Sequence, residues 1–498
     1  MMSPLYPQFV RLVLAYRWQR GWHYWYRGRR RAAIGQWRRL PQSLGLSSGE
    51  VYFQLSQELQ QTVGRGAAAI CLQWSQQRGW GSPQDPSHSL THSSATTNAQ
   101  ASSLAVEAAL QQACEQEPQN APNWIKLGKL YEANQQTELA IESYLQAIKV
   151  SGPSELDFGW WQLYYLWLPR PLVPAMIERY RALAGEYPKH PGPLTNLGRL
   201  LSRVKKPQAA IAAYREASRR GTLRHCGGQL PPGWDDHSPS PPQFIIIGAA
   251  KCGTSSLYTY LARHPNVIPS IVKEIDFFSK PKNFGYGLPW YLAHFPWLGE
   301  EAPRITGEAS PSYFHHPEVP QRIATALPNV KLIALLRDPV DRLISHYEHW
   351  VRQGYETRSL EEVTATELYH WQGVSPEAIE ATQAHLKESN RLNHNYFYQG
   401  LYAHHIQHWL RHFPPDQLLV LTLEEMADAP QKVLRQTCQF LDLPDFSLER
   451  YPQINSGQYN PQSDRDRHRQ ALADAFAPHA QPLEDLLQRP LPWNSPAP

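Results

Sequence analysis

The sequence predicts an α/β domain built on a P-loop-like parallel sheet, preceded by an all-α solenoid of stacked helix pairs. Three observations predict it. Apolar, β-branched runs near Phe244, Ile305, Lys331 and Leu418 alternate with helical periodicity across 243–498. The first run stops at Gly248 and enters a helix through a loop of small and hydroxyl residues. Ahead of them, one helix-pair pattern occurs at 124–147 and returns at 194–217.

Taken in chain order, the first 80 residues read as a basic, aromatic, helical region. Nine arginines, from Arg11 to Arg39, precede the first acid, Glu50, so residues 1–49 carry +9. With a net charge of +4 for all 498 residues, the remainder carries −5. There is thus no global case for a nucleic-acid partner. Trp18, Trp22, Trp25 and Trp37 interleave with the arginines, a mixture that suits an anionic membrane surface or polyanion. Stacking on single-stranded nucleic acid and an arm packed on its own protein stay open. No apolar run is long enough to span a bilayer, and the arginines interrupt any signal-peptide core. Five scattered cysteines form no CxxC pair, which points to a reducing cytoplasm, with peripheral membrane attachment through the basic arm.

A Ser/Thr/His/Gln-rich stretch, 81–103, reads as linker. In 104–220, Trp124, Leu127, Gly128, Tyr131, Ala140, Tyr144 and Ala147 set a pattern that Leu194, Leu197, Gly198, Leu201, Ala210, Tyr214 and Ala217 repeat. A degenerate copy between them carries Trp160, Leu163, Met176, Tyr180, Leu183 and Pro188. The pattern resembles the tetratricopeptide (TPR) repeat, which implies a protein partner on the repeats. A Pro/Gly/Ser-rich linker, 221–242, follows.

The loop after the first strand carries Lys251, Gly253, Thr254 and Ser255. Free N–H groups of a first helical turn, the helix dipole and one ammonium make an anion cradle. The lysine precedes Gly253, so the GxxxxGK(S/T) nucleotide-triphosphatase pattern fails, and the spacing of Gly248 and Gly253 fails the dinucleotide GxGxxG. Cys252 lies inside the loop, where a helix terminus favours a lowered thiol pKa. A second strand, KLIALL, delivers Arg337 to its carboxyl end, where open α/β sheets bind ligands. A salt bridge from Arg337 to Asp338 or Asp341 is the structural alternative.

GAAKCGTSSL, KEIDFF (Lys273 to Phe278), GEASPSYF (Gly307 to Phe314) and LLRDPVDRLISHY (Leu335 to Tyr347) occur in the order found in PAPS-dependent sulfotransferases. The chain resembles the heparan-sulfate, glycan-modifying type and its bacterial relatives over about 243 to the C-terminus. The resemblance implies that Lys251, Cys252, Gly253, Thr254, Ser255 and Ser256 hold the 5′-phosphosulfate of PAPS, Cys252 through its backbone. Arg337 and Ser345 match the family's ligands for the 3′-phosphate.

Lys251 is expected to meet the bridging oxygen, and no metal is needed if cationic side chains neutralise the leaving phosphate. Glu274 matches the family's general base, and burial beside the Ile-x-Phe-Phe run would raise its pKa. A surface charge pair with Lys273 is the alternative. Glu308, Ser310 and Tyr313 are expected to line the acceptor cleft. His404, His408 and His412 fall at i, i+4, i+8, read as a helix face rather than a metal site. The helical segment 360–390 is placed to recognise the acceptor. The family's basic closing loop has no counterpart in Ile454–Tyr459, although Arg465, Arg467 and Arg469 follow. A glycan or glycolipid acceptor is favoured by KEIDFF. Protein tyrosine, or a non-catalytic scaffold that binds PAP, are the competing readings.

Overall fold

The computed structural model describes residues 106–151 (135 apart), 173–299, 303–352, 356–382 (357 apart), 395–453 and 463–493. The basic arm at 1–80, the linker at 81–103, Trp160, Leu163, the loop 454–459 and the side chains of Arg465 and Arg467 lie outside them.

Within the compact unit Leu110–Pro498, helices come first in the chain. Helices α1 (Ala121–Ala133) and α2 (Thr137–Ser151) pair, as do α4 (Gly192–Arg203) and α5 (Pro207–His225), with α3 (Val173–Glu186) against α4. The pairing is steric. Gly128 and Gly198 let the rings of Tyr144 and Tyr214 lie directly on the opposing helix, where a Cβ would stand 2.6 and 2.4 Å from a ring carbon. Ala140, Ala147, Ala210 and Ala217 are buried beside those rings, so large and small residues interlock identically in both pairs.

The second half is a four-stranded parallel sheet, in the order β2–β1–β3–β4 among the described residues. Its strands are β1 (Phe244–Gly248), β2 (Gly307–Ala309), β3 (Lys331–Leu336) and β4 (Leu418–Thr422). The β-branched run of β1 is buried on both faces, as crossover helices demand. Ile305 itself forms only a bridge to Val267, and the strand starts two residues later.

The remaining helices used below are α6 (Thr254–Leu261), α7 (Val319–Ala326), α8 (Pro339–Arg352), α9 (Leu360–Trp371), α10 (Tyr402–Leu410), α11 (Leu423–Asp428) and α12 (Pro430–Phe440). They are followed by α13 (Ser463–Phe476) and α14 (Ala480–Leu487). The chain leaves β1 for edge strand β2, then returns past β1 to β3. The order therefore reverses at β1/β3, the switch point beyond whose carboxyl ends open α/β sheets bind ligands. No helix among the described residues is long and apolar enough to cross a membrane.

Candidate active site

The loop after β1 is anchored by the Ala249 N–H, which donates to the Leu335 carbonyl of β3 at 2.8 Å. Lys251 and Gly253 then take left-handed backbone conformations, φ 72° and 87°, on either side of Cys252. Such alternation forms the backbone concavity that accepts anions. A left-handed lysine costs about 1–3 kcal/mol. Each fully buried isoleucine of β1 stabilises by about 2 kcal/mol, so Ile245, Ile246 and Ile247 together hold the loop in place. At Gly253 a side chain would strike Met426 and Leu423, at 2.6 and 2.8 Å. No side chain caps α6, and while the Ser256 N–H donates to the Gly253 carbonyl at 3.0 Å, the N–H groups of Thr254 and Ser255 stand at the open end of the helix, where an anion binds.

The members of the loop differ. Thr254 and Ser256 are buried, Lys251 and Ser255 are half-buried, and Ser256 hydrogen-bonds the Tyr260 side chain. Cys252 corrects the sequence expectation: burial pushes its thiol up to about 12. Its Sγ lies 3.9 Å from the Tyr402 hydroxyl, which donates to the Arg337 carbonyl at 2.8 Å. Tyr402 thus joins the β1 loop to the end of β3, a role with no signal in local sequence.

Arg337 follows β3 directly, with its side chain 18% exposed. The structural alternative is present in part, since its guanidinium lies 3.6 Å from Asp341. That spacing is loose, and Arg469 makes the closer contact with Asp341. A planar guanidinium at this position suits a phosphate dianion. Ser345 lies two turns along α8 and is buried.

Glu274 lies in an irregular segment that packs over β2. Its N–H donates to the Ala309 carbonyl, at 2.9 Å, at the carboxyl end of that strand. Its side chain is 35% exposed and pairs with Lys273. The burial expected from the Ile-x-Phe-Phe run is taken up by Phe277 and Phe278 instead, which are 1% and 0% exposed. The backbone turn that separates them is left-handed at Glu274 and Asp276, so the carboxylate faces outward while the phenyl rings enter the core. Glu274, the Lys251 loop and Arg337 thus sit at the carboxyl ends of the adjacent strands β2, β1 and β3.

Glu308, Ser310 and Tyr313 do not line a cleft: all three are fully buried. Glu308 accepts from Tyr291 at 2.8 Å and Tyr313 at 3.1 Å on one oxygen, and from Ser310 at 2.5 Å on the other. Tyr313 Oη in turn accepts the N–H of Phe277 at 2.9 Å, and Ser310 Oγ that of Asp276 at 3.1 Å. These residues position the Glu274 segment from beneath.

Burial raises the Glu308 pKa from an ordinary 4.5 to about 7. The folded state then binds this proton more tightly than the unfolded chain. The contribution to stability is complete below about pH 4.5 and is lost as pH rises through 7, about 3 kcal/mol in all. Glu308→Gln is expected to flatten the fall in urea-unfolding stability between about pH 5 and 7, with Glu367, also raised to about 7, retaining its share. An unchanged slope would contradict the assignment.

The histidine series is interrupted because α10 ends at Leu410, before His412. His408 Nε2 lies 2.9 Å from the Pro317 carbonyl. Among the described residues no group of three or more His, Cys, Asp or Glu is placed to hold a metal ion. Of the segment 360–390 expected to be helical, α9 forms only Leu360–Trp371, begun by a Ser359/Glu362 capping box and ended by an extended Gln372.

Residues 241–456 match the family model described as sulfotransferase domain, and residues 121–152 match a tetratricopeptide repeat model. A bifunctional heparan sulfate N-deacetylase/N-sulfotransferase 3 of Homo sapiens is 33% identical over 212 residues, 41% of this chain and 23% of that protein. The Caenorhabditis elegans N-deacetylase/N-sulfotransferase 1 is 29% identical over 227 residues, 45% of this chain and 24% of that protein. The chain thus spans about a quarter of these curated relatives. The crystal structure of a sulfotransferase from Alicyclobacillus acidocaldarius is 32% identical, covering 51% of this chain and 98% of that one, at a TM-score of 0.41. Residues 241–456 are a sulfotransferase domain, and a tetratricopeptide repeat precedes it at 121–152.

Proposed function

We propose that the transferase domain moves a sulfuryl group from PAPS to a hydroxyl or amine of a glycan or glycolipid. The observation that carries this reading is the placement of Glu274, the Lys251 loop and Arg337 at the ends of three neighbouring strands. The uncapped start of α6 and Lys251 suit the 5′-phosphosulfate, and Arg337 with Ser345 suits the 3′-phosphate. Lys251 stabilises the negative charge that grows on the bridging oxygen as its bond to sulfur breaks. Glu274 takes the proton of the acceptor as the new sulfur–oxygen or sulfur–nitrogen bond forms. The electron pair of the broken bond stays with the departing phosphate. The glycan acceptor draws support from the heparan sulfate relatives of this segment.

The fold is read as that of the sulfotransferases, with the two matching helix pairs as parts of one TPR solenoid able to engage a protein partner. The basic arm is read as meeting an anionic membrane surface, and the chain as acting in the cytoplasm. Incubating the full chain with sulfur-labelled PAPS and extracts of polysaccharide, lipid and protein tests the reading. Label on polysaccharide or glycolipid is expected. Label on tyrosine would move the acceptor to protein, and PAP binding without any transfer would make the domain a scaffold.

A further inference from the structure

A cleft of about 260 Å³ runs between the repeat helices and the transferase segment 272–294, with Glu274 on its wall. Both sides are fixed. The Tyr286 hydroxyl donates to the Ser202 carbonyl at 2.5 Å, and Trp290 Nε1 to Ser202 Oγ at 2.8 Å. The Tyr214 ring packs edge-on to Trp290 at 5.6 Å and lies 4.0 Å from the ring of His294. The last helix pair is therefore docked on the transferase through buried contacts, and α4 brings Arg199 and Arg203 into the same cleft. From the opposite side come Lys280 and Lys282, just beyond the KEIDFF segment. Four cationic side chains thus line the cleft, of which Lys280 is ion-paired with Asp276 at 2.5 Å, and Glu274 is the one carboxylate among the lining residues themselves. Asn196 and Asn283 add neutral hydrogen-bonding groups.

We propose that this cleft is the acceptor channel, that the acceptor is an anionic oligosaccharide, and that repeat helix α4 supplies one wall of the site through Arg199 and Arg203. The inference rests on the reading of Glu274 as the base, because that places the reacting hydroxyl or amine against the Glu274 side of the cleft wall. A chain bearing carboxylates or earlier sulfates would be drawn in by the cations and held with one uncharged group against Glu274. The carboxylate would itself repel an acidic group, so the channel selects both for charge along the chain and against charge at the point of transfer. The repeats would then act as a specificity element of the enzyme.

Binding of a glucuronate–N-acetylglucosamine hexasaccharide, which carries three carboxylates and no amine charge, to the PAP-loaded full chain tests this without requiring turnover. Wild type is expected to bind it in preference to uncharged maltohexaose. Arg199→Ser with Arg203→Ser is expected to weaken binding about tenfold or more, to reduce its salt dependence and to leave PAP affinity intact. Lys282→Ser, at an exposed position, should weaken binding several-fold. Equal hexasaccharide affinity in wild type and variants would overturn the proposal. So would no hexasaccharide binding by wild type, or preference for an acidic tyrosine peptide. Charge-dependent binding without sulfuryl transfer would retain the channel and sink only the transfer reading.

Discussion

Glu274→Gln is expected to lower sulfuryl transfer by about 10²–10⁴-fold, the range for a lost general base, while PAP affinity stays near that of wild type. The amide keeps the size and shape of the carboxylate but does not take a proton. Three features make the separation of the two readouts sharp. Glu274 is held through its backbone to Ala309, so the side chain is not what anchors the segment. The buried Glu308, Ser310 and Tyr313 cluster fixes residues 276–278 independently. Finally, the proposed cradle for the donor follows β1 and β3 and does not include this segment. An equal loss of PAP affinity and transfer would mean that Glu274, with Lys273, serves the architecture of the site.

Lys251→Met is expected to cost about 10²–10³-fold in transfer, comparable to removal of one preorganised group that stabilises the transition-state charge. In contrast to Glu274, PAP affinity should fall as well, because on the proposed reading the ammonium faces the phosphate in ground and transition state alike. Methionine keeps the length of the stem, so loss of packing is a small part of the effect. Transfer and PAP affinity both unchanged would show that the helix terminus holds the donor alone and that Lys251 takes no part.

How legible these features are in the sequence depends on how local their causes are. The β1–loop–α6 unit is set by a run of β-branched residues, a glycine and a cluster of hydroxyls within about twenty positions. Strand β3 and Arg337 read out for the same reason. Glu308 does not, because a carboxylate in a short segment looks like a cleft residue. Only the tertiary fold brings Tyr291 and Tyr313 against it in the core. Cys252 misleads similarly, since a helix terminus favours a low thiol pKa while Tyr402, 150 positions away, closes over it and burial prevails. The four cations of the cleft come from α4 and from 280–282, and no spacing rule links those segments. In the repeats, the Gly–Tyr pairs were readable because each lies within a single helix pair.

The most direct test of the central claim, that a donor cradle and a separate base face one reacting group, is a PAP titration of wild type, Glu274→Gln and Lys251→Met side by side. The expected result is matching affinity for wild type and Glu274→Gln, with clearly weaker binding by Lys251→Met. Weakened binding in Glu274→Gln together with unaltered binding in Lys251→Met would contradict the account.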